Sequence, residues 1–388
     1  MNVNLRRTWA EIDLDALAHN YNQARKAIGD QVRYLGVVKA DAYGHGAVQI
    51  ARELERLGAD YLAVASLDEA RELRENEICA PILILGYTPP ALTHQLIEYG
   101  ITQAVASEQA AKQYSNAASA WGKPLKVHIK TDTGMSRLGF LVQGSHFEAG
   151  VAAIARTCSL PNLETEGIFT HFAVSDEDDP SSEAYTREQF RMFMAVCAAL
   201  EQQGHQFAIR HCANSGALAR YPEMYLDMVR PGLALYGVGG DAKRLDLQPV
   251  MSLKSCISTV KTLDAGTDIS YGRTFRTDRT ARVGVLPIGY ADGLMRSLSN
   301  RLTVHTPWGS APICGRICMD MTIVDLTDLP QAQAGSEVEI FGRTQSVDEL
   351  AQTVGTISYE LLCAVNKRVP RLYMRKNRVT ERVLRILP

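Results

Sequence analysis

The chain has 388 residues, of which 46% are apolar and 22% are charged, and its formal net charge is −2. This length predicts two domains, or one large barrel with an appendage, and the apolar fraction is enough for a full core. No segment is strongly basic and no apolar run approaches the length of a membrane span, so we expect neither a nucleic-acid partner nor a membrane partner.

The amino terminus and the cysteines predict a reducing, cytoplasmic location. Arg6 and Arg7 are followed by a strand-like segment, Thr8–Asp13, and not by the apolar core of a signal peptide. The eight cysteines are scattered without any Cys-x-x-Cys pair, which predicts free thiols. Because Cys314 and Cys318 have no second ligand pair at zinc spacing, we predict no metal site.

Eight strand-like segments recur at near-regular intervals before residue 231. They are Arg33–Lys39, Tyr61–Ala65, Ile82–Leu85, Gln103–Val105, Lys126–Lys130, Thr165–His171, Phe207–His211 and Asp227–Arg230. Helical patterns separate most of them, as in Val48–Gly58, in Glu108–Ala120 after the predicted N-cap Ser107, and in Glu183–Gly204. Eight such units predict a (β/α)8 barrel, with a doubly wound open sheet as the alternative. No Gly-x-Gly-x-x-Gly follows the first strand, which disfavours a dinucleotide-binding fold.

The pattern changes after Gly239 and Gly240, where short β-type runs separated by turns replace the alternation of strands and helices. These runs are Cys256–Val260, Ala281–Pro287, Leu302–Thr306, Ala311–Ile317, Thr322–Asp325 and Glu337–Phe341. Helical patterns return at Val347–Val354 and Tyr359–Val365. We therefore predict a barrel domain over residues 1–240 and a mainly β domain over residues 241–388.

Lys39 lies where a predicted buried strand opens into the Gly-rich loop Ala40–Gly46. A lysine held in such a place loses hydration, so its pKa falls and it becomes a candidate base or Schiff-base former. The alternative is a strand-end lysine whose amine simply reaches solvent.

Other basic residues also follow predicted strands. Since the functional side chains of a barrel collect at the carboxyl ends of its strands, Lys130, His171 and Arg230 are candidates for the same site. Each of them alone has a structural alternative as an ion-paired or packed side chain. Ser215 and Gly232 lie in small-residue turns, where backbone N–H groups bind anions. An anion site beside a buried lysine suggests pyridoxal phosphate.

Six separated segments carry a resemblance to a known family. They are Val38–Gly46, Lys130–Gly139, Arg230–Gly232, Ile269–Gly272, Pro287–Gly293 and Gly315–Asp320. In sequence and in order, and along essentially the whole chain, they resemble the bacterial alanine racemases among the fold-type III pyridoxal-phosphate enzymes. The segments around Tyr271 and Cys318–Asp320 separate this family from other proteins that hold the cofactor on a barrel.

The resemblance implies a pyridoxal 5′-phosphate-dependent racemase that interconverts L-alanine and D-alanine with two bases. Lys39 would carry the cofactor covalently and act as one base. Tyr271 of the partner subunit would act as the opposite base, so the enzyme would be a homodimer with shared sites. Arg230 would face the pyridine nitrogen, and His171 would position Arg230 or Tyr271. Because arginine stays protonated, it cannot give that nitrogen a full proton, which would limit transamination.

The resemblance also implies a set of binding residues. Arg137 would hold the phenolic oxygen of the cofactor and the substrate carboxylate, and Lys130 would be a carbamylated lysine that orients Arg137. The backbone N–H of Met319, from the partner subunit, would contact the substrate carboxylate. The implied phosphate contacts are Tyr43, Ser215, Gly232, Leu233 and Tyr359. The implied substrate access channel is lined by Asp176, Tyr290, Arg296, Arg316 and Ile357.

Three other functions compete with alanine racemisation. A barrel decarboxylase of basic amino acids would lack the Tyr271 segment in this context, and a non-catalytic cofactor carrier would leave the β domain unexplained. A broad-specificity racemase of the same family usually works outside the cytoplasm, and this chain shows no export signal. The sequence does not distinguish D-alanine supply for wall synthesis from D-alanine breakdown.

Overall fold

The computed structural model describes residues 7–385. Residues 1–6, on which part of the signal-peptide prediction rests, lie outside the described residues, as do residues 386–388. Between residues 7 and 385, no helix combines the length and the apolar character needed to cross a bilayer.

Parallel strands form a barrel in the first part of the chain. Among the described residues its eight strands are Arg33–Val37, Tyr61–Val64, Ile82–Ile84, Ile101–Val105, Leu125–Asp132, Leu163–Phe169, Ile209–His211 and Met228–Val229. The last of these pairs with the first. Between the last two strands, the N–H groups of Asp227 and Arg230 donate to the carbonyls of Arg210 and Ala213. The predicted (β/α)8 barrel is confirmed.

Helices alternate with the barrel strands and bury one face each. They are Leu14–Ile28, Ala47–Leu57, Leu67–Glu75, Thr93–Glu98, Glu108–Trp121, Phe147–Cys158, Pro180–Gln202 and Ser215–Arg220. The predicted N-cap Ser107 accepts a hydrogen bond from the N–H of Ala110, as expected for a helix start. The helix predicted from Glu183 begins three residues earlier, because Asp179 caps it and Pro180 suits a first helical position.

Antiparallel strands dominate the second part of the chain. Its largest sheet has the order Gly309–Pro312, Thr303–Thr306, Glu337–Phe341, Met251–Cys256, Thr8–Asp13, Arg371–Arg375 and Arg378–Val383. A second sheet is formed by Thr259–Leu263, Ala281–Leu286 and Thr322–Asp325, and a third by Asp268–Ile269 and Phe275–Arg276. The short strand Phe140–Leu141 pairs with a barrel strand, and the helices Val347–Val354 and Ser358–Ala364 lie between the strands Glu337–Phe341 and Arg371–Arg375 along the chain.

The amino-terminal strand Thr8–Asp13 lies in the middle of the largest sheet. It pairs antiparallel with Met251–Cys256 and parallel with Arg371–Arg375. Residues at the start of the range predicted for the barrel domain therefore contribute a central strand to the antiparallel sheet.

One predicted strand, Cys256–Val260, is two strands in the structure. The N–H of Ile257 donates to the carbonyl of Ser336, which directly precedes a strand of the largest sheet. The N–H of Ser258 donates to the carbonyl of Val285 in the second sheet. The chain therefore changes sheets between Cys256 and Thr259, which a continuous β-type pattern does not reveal.

Candidate active site

Lys39 begins a turn whose next four residues adopt left-handed backbone conformations. Ala40, Asp41, Ala42 and Tyr43 have φ angles of 51°, 55°, 53° and 52°. Each such residue with a side chain costs about 1–2 kcal/mol relative to the right-handed region. Backbone strain of this kind persists only where surrounding contacts hold it, and it concentrates at functional sites.

Contacts from both domains hold this turn. At its start, the N–H of Ala40 donates to Glu69 Oε1 at 2.7 Å. At its end, the buried guanidinium of Arg371, from the β domain, donates to the carbonyl of Gly44 at 3.0 and 2.9 Å. The backbone that carries Lys39 is therefore fixed by the barrel on one side and by the antiparallel sheet on the other.

The Lys39 amine lies in an environment that disfavours its charge. Burial and then the charge of Arg137 lower the pKa of Lys39 below its usual value, while Glu69 opposes the shift. A lowered pKa makes the uncharged amine easier to reach, and the uncharged amine is the form that acts as a nucleophile or a base.

Lys130 is buried at the end of the strand Leu125–Asp132. Its Nζ donates to the Thr131 carbonyl at 3.0 Å and lies 5.1 Å from the centre of the Phe169 ring. Burial, followed by the charge of Arg230, lowers the pKa of Lys130 to about 7. Its amine is therefore much easier to deprotonate than a solvated lysine amine.

Arg230 is buried in the barrel with its hydrogen bonds satisfied by neutral groups. Its Nη2 donates to the carbonyls of Thr170 and Cys212 at 2.9 and 3.0 Å and lies 3.2 Å from His171 Nδ1. Its Nη1 lies 3.0 Å from Nδ1 of His211. Burial lowers the pKa of Arg230 to about 10, which leaves it protonated at neutral pH.

His171 shows that four basic side chains converge on one place. Burial and then the charges of Arg230, Lys130, Arg137 and Lys39 lower its pKa well below the usual value, so its imidazole is neutral. We call these five residues the mouth cluster. Concentrated positive charge of this kind fits an anionic ligand.

A small space lined by hydrogen-bond donors lies around Gly232. The Gly232 N–H donates to Ser215 Oγ at 2.9 Å, and Ser215 begins a short helix capped by Asn214. A Cβ at position 232 would lie 2.9 Å from the Tyr43 hydroxyl, so the absence of a side chain keeps the space open. The Tyr43 and Tyr359 rings are 5.6 Å apart.

These groups fit a phosphate. Hydroxyls from Tyr43, Ser215 and Tyr359 and the backbone of Gly232 and Leu233 are the kind of donors that hold phosphate oxygens. Tyr43, Ser215, Gly232 and Leu233 belong to the same barrel as the Lys39 amine, and Tyr359 comes from a helix of the β domain. The chain's residues therefore fit pyridoxal 5′-phosphate.

The remaining site residues of the β domain lie in segments that are hydrogen-bonded to one another. Ser270 Oγ donates to the carbonyl of Arg316 at 2.6 Å, and the N–H of Tyr290 donates to the carbonyl of Cys318 at 3.0 Å. The N–H of Ile317 donates to Ser299 Oγ at 3.0 Å. The structure thus brings together a second group, which we call the β-domain cluster: Tyr271, Tyr290, Arg296, Arg316 and Met319.

The two clusters are separate within one chain. Tyr271 is 71% exposed and Met319 is 53% exposed, and between residues 7 and 385 no hydrogen bond joins either side chain to the mouth cluster of the same chain. By contrast, Asp176 and Ile357 belong to the neighbourhood of the phosphate space. A Cβ on Gly216 would lie 2.8 Å from the backbone nitrogen of Asp176, and Ile357 immediately precedes the helix of Tyr359.

His211 is a site residue to which the sequence pattern assigned no role. It is fully buried, its ring stacks on Phe169 at 4.7 Å, and its Nδ1 faces Arg230. Its place at the end of a predicted strand was the available signal. The pattern did not show which of its two ring nitrogens faces the site.

Comparisons with known proteins agree with this geometry. Residues 12–239 match the family described as alanine racemase, N-terminal domain, and residues 250–373 match alanine racemase, C-terminal domain. The chain is 43% identical to alanine racemase 2 of Caldanaerobacter subterraneus subsp. tengcongensis, with 97% of each chain covered. It is 45% identical to the alanine racemase of Desulforamulus reducens, with 94% of this chain and 98% of the relative covered.

Solved structures show the same fold over the same length. An alanine racemase from Clostridium difficile 630 superposes with a TM-score of 0.93 at 38% identity, covering 98% of this chain and 99% of that one. An alanine racemase from Bacillus anthracis with bound L-Ala-P superposes with a TM-score of 0.88 at 33% identity, covering 98% of each chain. The chain therefore belongs to the alanine racemase family, whose members are pyridoxal 5′-phosphate-dependent isomerases.

Proposed function

We propose that this protein interconverts L-alanine and D-alanine at a site that a second copy of the chain completes. The observation that supports this most is the placement of Lys39, Lys130, Arg137 and Arg230 around His171, in the same barrel as the donors near Gly232. The relatives named above are alanine racemases, which supports alanine as the substrate.

Two bases on opposite faces of the substrate account for racemisation. Bound pyridoxal phosphate would supply an electron sink that acidifies the α-proton of the amino acid. Lys39, whose pKa is lowered, takes or gives the proton on one face. Tyr271 of the partner subunit does so on the other face, so the substrate does not have to turn over between the two proton transfers.

The other residues of the mouth cluster bind and orient. Arg230 faces the pyridine nitrogen, and His171 positions Arg230. Arg137 holds the phenolic oxygen and the substrate carboxylate, to which the N–H of Met319 of the partner subunit also donates. The phosphate is held by Tyr43, Ser215, Gly232, Leu233 and Tyr359.

The exposure of Tyr271 and Met319 in the β-domain cluster supports a homodimer. A base must touch the reacting carbon, yet Tyr271 is 71% exposed in the single chain, beside the exposed apolar side chains of Met319 and Met321. A two-fold axis that places each β-domain cluster over the partner's mouth cluster would bury both and make two equal sites. In this arrangement, residues 1–240 and 241–388 are the two domains, apart from the shared strand Thr8–Asp13.

The access channel is shared in the same way. Asp176 and Ile357 come from the chain that holds the cofactor, and Tyr290, Arg296 and Arg316 come from its partner. A reducing, cytoplasmic location fits the scattered cysteines of the sequence, which contain no Cys-x-x-Cys pair.

The purified protein tests this function directly. We expect the absorption band of a lysine-bound cofactor and racemisation of L-alanine faster than that of serine, lysine or arginine. Release of CO2 from lysine or arginine would favour a decarboxylase, and a bound cofactor without turnover would favour a carrier. Equal rates across the amino acids would favour a broad-specificity racemase.

Lys130 is expected to be carbamylated. Its neutral amine adds to the carbon of CO2 and loses a proton, which converts a base among cations into an anion able to accept hydrogen bonds from Arg137. Because the pKa of Lys130 is about 7, the reactive neutral amine dominates above pH 7 and disappears as the pH falls below it. 13C-bicarbonate should therefore give a carbamate signal that Lys130→Ala abolishes and Lys112→Ala retains. A high-resolution density map with a bare Lys130 amine bonded to a carboxylate would contradict this role.

Arg230→Glu is expected to shift the reaction from racemisation to transamination. A carboxyl group at this place lets the pyridine nitrogen hold a proton, which strengthens the electron sink. Racemisation should fall by roughly 100-fold or more, as when a preorganised charge is removed from an active site, while the pyruvate formed per racemisation event should rise. Arg191→Glu, at a side chain that is 70% exposed, is the control for charge alone. An unchanged product ratio in Arg230→Glu would count against the placement of Arg230.

A further inference from the structure

A continuous chain of hydrogen bonds runs through the barrel interior from Arg230 to Glu166. The Arg230 Nη1 atom lies 3.0 Å from Nδ1 of His211. The opposite nitrogen of His211, Nε2, lies 2.9 Å from Nδ1 of His128. Nε2 of His128 lies 3.0 Å from Oε2 of Glu166, so two imidazoles link the guanidinium to a carboxylate.

The two ends of the chain fix the direction of every hydrogen bond in it. A guanidinium only donates, so Nδ1 of His211 must be unprotonated and its proton lies on Nε2. That proton is donated to Nδ1 of His128, which places the proton of His128 on Nε2, facing the acceptor Glu166. A second proton on either ring would set two donors against each other. Burial lowers the pKa of both histidines, which agrees with neutral rings.

The strand that carries Glu166 has an irregular pairing at the residue that ends the chain of hydrogen bonds. Val127 pairs with Thr165, but the next residue, His128, pairs with Gly167, so Glu166 is an extra residue in a β-bulge. Bulges re-aim side chains. A Cβ on Gly167 would lie 2.7 Å from Cε1 of His128, so the glycine leaves the space that the imidazole occupies.

Glu166 is held as a carboxylate. The Tyr61 hydroxyl donates to its Oε2 at 2.7 Å, and Lys126 Nζ donates to its Oε1 at 3.0 Å. Burial opposes the charge, but the hydrogen bonds from His128, Tyr61 and Lys126 outweigh it and lower the pKa of Glu166 to about 2. Glu166, at the end of this series of hydrogen bonds, is therefore an acceptor at every pH near neutral.

We propose that Glu166 is a positioning residue for catalysis, which sets the tautomers of His128 and His211 and thereby holds Arg230 in register with the pyridine nitrogen. The proposal rests on the proposed function, in which Arg230 faces that nitrogen. Without a fixed acceptor at position 166, His128 can carry its proton on Nδ1. His211 is then forced to carry its own proton on Nδ1, where it opposes the donor of Arg230.

Two substitutions that interrupt this chain of hydrogen bonds test the proposal. Each is made in the holoenzyme labelled with 15N-histidine. Glu166→Gln keeps the shape but offers an amide that can donate to His128, and His128→Phe removes both ring nitrogens. The control is Glu164→Gln, an exposed residue two positions earlier on the same strand. The readouts are the 15N shifts of the His211 ring nitrogens, the absorption spectrum of the bound cofactor, and kcat and KM for alanine.

We expect both substitutions to convert His211 from one tautomer to a mixture of two. We also expect them to lower kcat for alanine by about 10- to 100-fold with little change in KM. This is the range seen when carboxylates behind metal-bound histidines are removed. The double variant should have a kcat no lower than that of the worse single variant, because either substitution already interrupts the same series of hydrogen bonds. If Glu166→Gln does not fold, His128→Phe decides alone, since its Glu166 keeps the bonds from Tyr61 and Lys126.

The proposal would be overturned if the substituted variants that fold keep a single His211 tautomer and have the same kcat as Glu164→Gln. A fall in kcat without any change in the His211 shifts would also overturn it, since that pattern indicates a general loss of packing. Neither result touches the placement of Arg230, which Arg230→Glu tests separately by its product ratio.

Discussion

Lys39→Ala should lower the rate of alanine racemisation by on the order of 10⁴-fold or more, because it removes the covalent link to the cofactor and one of the two bases. The left-handed turn after Lys39 is held by Glu69 and Arg371 and not by the lysine side chain, so the variant should remain folded. Lys112→Ala, at a side chain that is 59% exposed, should keep the parental rate.

The attachment point can be read without any activity measurement. Borohydride reduction of the holoenzyme should fix pyridoxal phosphate to the peptide that contains Lys39, and mass spectrometry should find that peptide heavier by the reduced cofactor. A label on Lys130 or on any other lysine would mean that the cofactor is bound differently. In Lys39→Ala the same treatment should label no peptide of the mouth cluster.

Mixed dimers of Lys39→Ala and Tyr271→Phe should recover activity that neither variant has alone. Under random pairing about half of the dimers are mixed, and each has one site with both defects and one intact site. Recovered activity should therefore approach roughly a quarter of the parental value. The measurement is the racemisation rate after the two inactive variants are unfolded and refolded together.

The result depends on both residues serving the same site from different chains. If Lys39 and Tyr271 of one chain served one site, every site in the mixture would carry a defect and the mixture would stay inactive. Differently tagged variants show whether hybrids form, and the two variants refolded separately and then mixed are the control. An inactive mixture with demonstrated hybrids would contradict the shared site.

Much of the fold could be predicted because its signals are local. Continuous apolar runs bounded by turns gave the barrel strands, and Thr322–Asp325, Glu337–Phe341 and Val347–Val354 have the predicted bounds. The carboxyl ends of parallel strands share one rim, so Lys39 and Arg230 could be placed together although 190 residues separate them in the sequence.

Features that depend on contacts distant in sequence could not be predicted. No residue from Ala40 to Tyr43 is a glycine, so their left-handed conformation is imposed by the contacts that hold the turn and not by local preference. The bulge at Glu166 was not predicted, although Gly167 inside the strand is a residue that often marks a bulge, because the mispairing depends on the neighbouring strand of His128. The proposed role of Tyr271 requires a second chain, and only the family resemblance suggested it.

The position of Thr8–Asp13 also affects the order in which the newborn protein can fold. This strand is synthesised before every strand of the barrel, but its two neighbours in the sheet, Met251–Cys256 and Arg371–Arg375, are synthesised far later. All eight strands of the barrel are made by residue 229, so the barrel can close while both edges of the first strand are still bare. Arg371, which holds the turn after Lys39, is on the later-synthesised of the two strands that pair with Thr8–Asp13. The turn after Lys39 is therefore held on its β-domain side only once Arg371 has been made, so the barrel strands alone do not fix this turn from both sides.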